Sequence, residues 1–241
     1  MKNLKVLIAC EESQRVCIAF RNKGIEAYSC DIIPCSGGHP EWHIMQDVLP
    51  LLNGFCEFET MDGEKHCINQ QWDLIIAHPP CTYLSNAGNG YFNIDKYGEL
   101  AIKRNIERYK AIDFFMQFTY AKCNHIAIEN PVGVMNSWYR KPDQVIHPYF
   151  FAKDETDSEN FHKKRTCLWL INLNKLKYDK PLAEPKPIYI DKVTGKKRYY
   201  VDAITGTSTN GKSERSKTFP GIAEAMADQW GNYLLKGDDS K

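Results

Sequence analysis

A short apolar run that stops before two consecutive prolines is the feature of this sequence that most constrains its fold. Residues 74–77 are rich in Ile and Leu, which is typical of a buried strand in a parallel sheet. Pro79 and Pro80 each fix their own φ and lack a backbone donor, so the chain must leave the strand on a stiff, extended segment. Cys81 is therefore predicted to lie at the carboxyl end of a parallel strand, where ligands usually bind.

A second apolar stretch ends in the same way. Residues 125–128 predict a strand, and Glu129 and Asn130 follow it immediately before Pro131. Because parallel strands end at one edge of a sheet, two adjacent strands of this kind would present the Cys81 thiol and the Glu129 carboxyl group to one cleft. Each motif alone also fits a plainer interpretation, a buried unreactive cysteine or an exposed loop acid. The prediction of a site depends on the pair.

The two motifs resemble the nucleophile and acid motifs of the cytosine-C5 methyltransferase family, in the family's order along the chain. The resemblance implies that the Cys81 thiolate adds to C6 of cytosine while Glu129, protonated or hydrogen-bonded, contacts N3. It also implies S-adenosylmethionine as methyl donor, with Pro79 and Asn130 binding the substrate and Pro80 bordering the cofactor. Covalent addition suits such a substrate, because a pyrimidine is a poor nucleophile at carbon until its aromaticity is broken.

A third motif lies in residues 161–171, where basic side chains precede a run with strand character. It resembles the family's Arg-x-Arg strand motif, which implies that Lys163, in the first basic position, binds the substrate and that Arg165, in the second, supports catalysis. Arg165 would approach the cytosine ring or a flanking phosphate with its planar donor fork. The plainer alternative is a solvated basic entry into a strand.

The amino-terminal part has the pattern of a nucleotide-binding half of an α/β sheet. Residues 4–9 predict a strand, residues 13–23 a helix and residues 25–30 a second strand. Asp31 ends that second strand, where an acid can accept hydrogen bonds from two ribose hydroxyls. This pattern predicts the α/β class, with a mostly parallel twisted sheet and helices on both faces, and the resemblance implies a Rossmann-like class I methyltransferase.

The loop after the first strand contains no glycine, unlike the Gly-rich turn of the family. The absence of glycine implies that side chains such as Glu12 and Ser13 hold the cofactor, and it disfavours a phosphate-rich dinucleotide. The resemblance places the adenine ring near Ile32, Asp47 and Val48. The predicted cofactor-binding residues are Cys10, Glu12, Ser13, Asp31, Ile32, Asp47, Val48, Pro80 and Ser216.

Two further helices are predicted. Residues 99–121 would bury a face of apolar side chains, after a loop at residues 86–97 that could close over a flipped base. Residues 215–230 resemble the family's final motif, a polar turn followed by a helix that covers the first strand. Ser216 of that turn would contact the methionine part of the cofactor. The buried faces would comprise Ile102, Ile106, Tyr109, Ile112, Phe115 and Met116 in the first helix, and Ile222, Ala223, Met226 and Trp230 in the second.

The predicted organisation is one domain with a small insertion. Residues 1–171 would form the catalytic core, residues 172–213 a reduced recognition insertion with a hairpin turn near Thr194 and Gly195, and residues 214–241 the closing helix. A net charge of +1 gives no global sign of nucleic-acid binding, so DNA contacts must come from a local patch. The basic residues of that patch are Lys192, Lys196, Lys197, Arg198, Lys212, Arg215 and Lys217.

Composition narrows the setting of the protein. The 241 residues are 43% hydrophobic, enough for one substantial core, and no apolar stretch would span a membrane. The nine cysteines lack a strong metal-ligand spacing, so we expect no metal and a reducing bacterial or phage-infected cytoplasm. We therefore predict methylation of cytosine at C5 in DNA, in a compact form that resembles enzymes carried by phages, where self-methylation would mask DNA from restriction. Two alternatives remain open: C5 modification of another pyrimidine in RNA or a nucleotide, and a non-catalytic module that binds DNA or cofactor.

Overall fold

The computed structural model describes residues 3–179, 182–203 and 216–236 of the chain. The strands are β1 Lys5–Ala9, β2 Glu26–Asp31, β3 His43–Met45, β4 Cys56–Glu59, β5 Lys65–Ile68, β6 Leu74–Ala77, β7 Ile126–Pro131, β8 Gln144–Ile146, β9 Thr166–Ile171, β10 Tyr189–Ile190 and β11 Lys197–Arg198. The α-helices are α1 Arg15–Arg21, α2 Ile94–Tyr97, α3 Glu99–Thr119, α4 Met135–Trp138, α5 Tyr200–Ala203 and α6 Pro220–Lys236. Short 3-10 helices span Pro40–Trp42, Leu49–Leu51, Asn86–Phe92 and Pro148–Phe150.

The described residues form a seven-stranded sheet in the order β3-β2-β1-β6-β7-β9-β8. The five strands from β3 to β7 in this order are parallel, whereas β9 runs antiparallel to both β7 and β8. The chain first moves outward from β1 to β2 and β3, then returns to the other side of β1 with β6. The predicted α/β class with a mostly parallel sheet is confirmed, and the arrangement is compatible with a Rossmann-like fold.

Helices cover both faces of this sheet, as predicted. Alternate residues of β1 point to opposite faces, so Val6 and Ile8 share one apolar cluster with α1 and α6, while Leu7 belongs to another. The second cluster contains Phe115 of α3 and Trp169 of β9. Burial on both faces explains why the central strands are continuous apolar runs rather than alternating ones.

The helix predicted over residues 13–23 is shorter, since α1 begins at Arg15. Gln14 precedes it with a left-handed backbone, φ 59°, which a helix cannot include. The predicted closing helix is α6, in which Pro220 stands in the first-turn position that suits proline.

The predicted core face of α3 is wrong in its first half. Ile102, Ile106 and Tyr109 are exposed, whereas Ile112 and Phe115 are buried as expected. Periodicity identified the face of the helix but not the length over which the sheet lies beneath it. Residues 86–97, predicted as a loop, contain a 3-10 helix and α2, whose start is capped by Asn93 accepting a hydrogen bond from the Lys96 N–H.

The expected hairpin is present as β10 and β11, paired antiparallel, with Gly195 at φ 67° in the turn. Its basic residues Lys192, Lys196, Lys197 and Arg198 are exposed. Lys212, Arg215 and the proposed boundary between residues 213 and 214 lie outside the described residues. The division into core, recognition insertion and closing helix stays a prediction.

Candidate functional site

The carboxyl ends of β1, β2, β6 and β7 meet at one edge of the sheet. Ala9 at the end of β1 pairs with Cys30 of β2 on one side and with Ala77 of β6 on the other. Ala77 in turn pairs with Ile128 of β7. The chain reverses its direction of travel between β1 and β6, and such a switch point opens the crevice in which α/β proteins bind ligands.

Cys81 lies at this edge with an exposed side chain. Pro79 is buried and Pro80 is exposed, so the Pro-Pro segment rises from the core to the surface within two residues. The Cys81 carbonyl accepts hydrogen bonds from the N–H groups of Leu84 and Ser85, at 3.0 and 2.9 Å, which turn the chain immediately after the cysteine. The predicted nucleophile is thus solvent-accessible on a braced segment.

Glu129 occupies the end of the neighbouring strand, and its side chain is only 14% exposed. Burial by itself would raise the pKa of this carboxyl group. A hydrogen bond with His78, 3.1 Å from Nδ1 to Oε2, and the charge of Lys164 outweigh it and hold the pKa below its usual range. Glu129 is therefore a carboxylate at neutral pH.

Direct hydrogen bonds join the loops that follow β6 and β7. Asn130, which is buried, donates from Nδ2 to the Pro79 carbonyl at 2.7 Å. The Asn86 N–H donates to the Val132 carbonyl, and the Val134 N–H donates to the Leu84 carbonyl. Pro79 and Asn130, predicted to bind substrate, are thus observed in contact with each other, and a contact with substrate stays a prediction.

Sequence reasoning missed two buried titratable residues at this edge, His78 and Glu11. The His78 side chain is 8% exposed, and its Nε2 has no hydrogen-bond partner among the described residues. Glu11 accepts hydrogen bonds from the N–H groups of Val16 and Cys17, at 2.7 and 3.2 Å, and so caps α1. The sequence signal for Glu11 was its position between the end of β1 and the first turn of α1, where an acid can accept hydrogen bonds from helix N–H groups.

Burial raises the pKa of Glu11 to about 7, although the nearby charge of His78 and the two helix N–H groups work in the opposite direction. His78 therefore influences two carboxyl groups, Glu129 through a hydrogen bond and Glu11 through its charge. We call Glu11, His78, Cys81 and Glu129 the strand-end site.

Except for Pro80 and Ser216, the predicted cofactor residues lie at or just beyond the ends of β1, β2 and β3. Burial, followed by the charges of Asp31 and other neighbours including Asp47, raises the pKa of Cys10 well above its usual value. Burial also raises the pKa of Asp31. Ile32 is 75% exposed, whereas Val48 is buried in the core. The sheet edge therefore brings several acids together with exposed apolar side chains, of which Ile32 is one.

The glycine-free loop turns by means of two left-handed residues, Cys10 and Gln14, each at φ 59°. Gln14 is buried and exchanges side-chain hydrogen bonds with the backbone of His39. Gly37 packs so closely that a Cβ atom there would lie 2.6 Å from Cβ of Gln14. The glycine that allows two backbones to approach closely is thus Gly37, in the loop after β2, rather than a residue of the loop after β1. This second loop covers Ser13, whose side chain is buried. Glu12 is half-buried beside it.

The basic motif before β9 is divided between two faces. Arg165 is exposed next to Thr166, which pairs with Pro131 of β7, so it lies at the same edge of the sheet. Lys163 forms an ion pair with Glu184 and donates to the Tyr199 hydroxyl. Lys164, which the motif left unassigned, adds its charge to the hydrogen bond of His78 in lowering the pKa of Glu129. Ser216 is exposed ahead of α6.

Comparison with known proteins adds no assignment: no protein-family model matches the chain, and no curated protein matches it. Within residues 3–179, 182–203 and 216–236, no helix combines the length and the apolar character needed to cross a membrane. The same residues contain no cluster of His, Cys, Asp or Glu with the geometry of a metal site.

Proposed function

We propose that the protein methylates cytosine at C5 in DNA, with S-adenosylmethionine as donor, through a covalent bond between Cys81 and C6. The observation that carries the proposal is the direct contact between the two motifs, in which Asn130 donates a hydrogen bond to the Pro79 carbonyl at 2.7 Å. The exposed Cys81 thiol follows one side of this contact, and the Glu129 carboxylate, 14% exposed, precedes the other. The resemblance of both motifs to the cytosine-C5 methyltransferase family supports the same chemistry.

Cys81 is suited to nucleophilic attack because it is accessible and its backbone is braced. When its sulfur bonds to C6, the thiol proton passes to solvent, which reaches the exposed side chain, and electron density moves to C5 and N3 of the ring. After C5 has taken the methyl group it loses its own proton to water, and the C6–S bond breaks. Two prolines and the turn at Leu84 limit the motion of the segment, which reduces the entropy lost in reaching a single ring atom.

Glu129 would hold the proton at N3. A carboxylate cannot donate to N3, so Glu129 must take up one proton from solvent when the substrate binds, share it with N3 as the ring becomes electron-rich, and release it when Cys81 departs. Lys164 and His78 keep Glu129 ionised before substrate binds. His78 thus acts as a positioning residue for Glu129.

The ends of β1, β2 and β3 fit S-adenosylmethionine. The ligand carries a positive amino group, a sulfonium and ribose hydroxyls, which are the partners that Glu12, Asp31 and Asp47 prefer, and it has no phosphates for them to repel. The exposed Ile32 offers an apolar surface for an adenine ring. When bound, S-adenosylmethionine supplies an electrophilic methyl group. Arg165, at the same sheet edge, would contact the target ring or a flanking phosphate.

Trapping with 5-fluorocytosine tests the proposal. The fluorine at C5 cannot leave as a proton does, so an enzyme that has added Cys81 and transferred a methyl group stays covalently attached to the oligonucleotide. With labelled S-adenosylmethionine, we expect the wild-type protein to give an adduct on denaturing gels and Cys81→Ser to give none. Cys67→Ser, which alters an exposed cysteine on β5, is the matched control and should behave as wild type.

The other outcomes identify the alternatives. An adduct formed only with RNA or a nucleotide would show that the substrate is a pyrimidine other than cytosine in DNA. Cofactor binding without an adduct on any substrate would overturn the enzymatic proposal in favour of a binding module. An adduct that persists in Cys81→Ser would refute the assigned nucleophile.

A further inference from the structure

A solvent-open cavity of about 340 Å³ lies on the segment that follows Cys81. Its size is within the range of small-molecule sites, about 300–1,000 Å³. None of its lining residues belongs to the strand-end site. We call it the tyrosine cavity, after the residues that define it: Tyr83, Tyr91, Tyr97, Lys103, Arg104 and Glu107.

Two arginines of α3 hold the aromatic rings of this segment in place. The Arg104 guanidinium lies 5.2 Å from the ring centroid of Tyr83 and 5.6 Å from that of Tyr91. Arg108 stacks on Phe92 at 3.3 Å and donates from Nε to the Tyr83 carbonyl at 2.9 Å. The rings are thus ordered before any ligand arrives, which lowers the entropy cost of stacking on them.

The cavity offers an exposed aromatic ring and an excess of positive charge. The Tyr91 side chain is 55% exposed. The single acid, Glu107, is paired with Lys110 at 2.7 Å, which leaves the positive charges of Lys103 and Arg104 in excess.

The cavity also adjoins the strand-end site through the chain itself. Tyr83, which lines the cavity, is two residues beyond Cys81 on the same segment. A ligand that extends from the tyrosine cavity along this segment would approach the nucleophile. By contrast, Tyr199, next to the hairpin of β10 and β11, is buried and accepts a hydrogen bond from Lys163.

We propose that the tyrosine cavity binds single-stranded DNA next to the target base. Bases would stack on Tyr91 and Tyr97, and Lys103 and Arg104 would contact the backbone phosphates, the combination by which proteins hold unpaired strands. This inference rests on the proposed function only for the target base, since strand binding does not require methyl transfer. It places strand recognition on α3 and the segment before it rather than on the hairpin.

Fluorescence anisotropy with a labelled single-stranded DNA of about 12 nucleotides, containing cytosines, tests this inference. The measurements use full-length Cys81→Ser as the parent, without cofactor, so that no chemistry contributes. Stacking is worth about 1–3 kcal/mol per base, so adding Tyr91→Leu should weaken binding about 5- to 150-fold, while Tyr91→Phe should retain most of it. Lys103→Gln should lower the slope of log K against log salt by about 0.7.

Tyr189→Leu is the matched control, since this tyrosine is 51% exposed on the hairpin. It should leave binding unchanged. Weakening by Tyr189→Leu but not by Tyr91→Leu would move the binding surface to the hairpin and overturn the inference. Tighter binding of the corresponding duplex, or no strand binding at all, would also overturn it.

The two proposals fail in different ways. If the 5-fluorocytosine adduct is absent while Tyr91-dependent strand binding persists, the proposed methylation fails and the tyrosine cavity stands. If methylation is intact and Tyr91→Leu changes neither its KM nor the affinity for the single strand, this inference fails alone.

Discussion

At the residue scale, two buried carboxyl groups near His78 have pKa values shifted in opposite directions. Burial dominates for Glu11 and raises its pKa to about 7, whereas the hydrogen bond from His78 and the charge of Lys164 prevail for Glu129 and lower its pKa. Such divergent environments are a common way to assign different protonation states to neighbouring acids. Motifs located Glu129 in the sequence, but its protonation state depends on residues from other strands.

The raised pKa of Glu11 predicts a loss of stability as pH rises. The unfolded state releases this proton near pH 4.3 and the folded state only near pH 7, so stability is full below about pH 4 and falls between these values. Urea denaturation should show that the free energy of unfolding of Glu11→Gln, relative to that of wild type, rises by about 2–3 kcal/mol between pH 5 and pH 8.

Glu57→Gln on β4, where the side chain is exposed, serves as the control and should show no such gain. The same difference in free energy of unfolding between Glu11→Gln and wild type at pH 5 and pH 8 would contradict the prediction. It would mean that the helix N–H groups keep Glu11 ionised.

At the scale of elements, the site depends on two loops that pair with each other. The segment after β6 and the segment after β7 exchange backbone hydrogen bonds, and Ser85 forms a β-bridge with Gly133. The two strand ends can be predicted from their apolar runs and prolines. The contact between the loops cannot, because nothing local indicates which glycine must face another backbone.

Gly133 is the position where this pairing is tightest. A Cβ atom there would lie 2.0 Å from the Leu84 carbonyl oxygen, so Gly133→Ala must push the two segments apart. We expect a loss of about 1–3 kcal/mol in the free energy of unfolding, together with reduced adduct formation.

Gly90→Ala is the control for this substitution, because a Cβ atom at Gly90 would meet no atom within 4 Å. Its stability should stay within about 0.5 kcal/mol of wild type. Equal behaviour of the two alanine variants in urea denaturation would mean that the loops are not held together as described.

At the scale of the whole molecule, α6 returns the carboxyl-terminal part of the chain to the first helix and the central sheet. Ile222, Met226 and Trp230 are buried in the same cluster as Val6 and Ile8 of β1. The predicted apolar spacing of this helix is confirmed by these contacts. Its removal would expose the face of the sheet behind the strand-end site.

Trp230→Ala should therefore destabilise the whole fold, by about 3–5 kcal/mol, since it leaves a large cavity and removes the hydrogen bond from Nε1 to the Asn174 carbonyl. Leu235→Ala in the same helix, where the residue is 40% exposed, should cost at most about 1 kcal/mol. Equal unfolding midpoints for the two variants would show that α6 does not support the core.

Apolar runs and prolines act over a few residues, so the α/β class, the central strands and the positions of Cys81 and Glu129 can be predicted from local sequence. Tertiary packing is needed to show that His78 and Lys164 set the charge of Glu129, that Glu11 caps α1, and that the predicted apolar face of α3 is exposed in its first half. These features arise between residues distant along the chain, where burial and charge depend on which elements pack together.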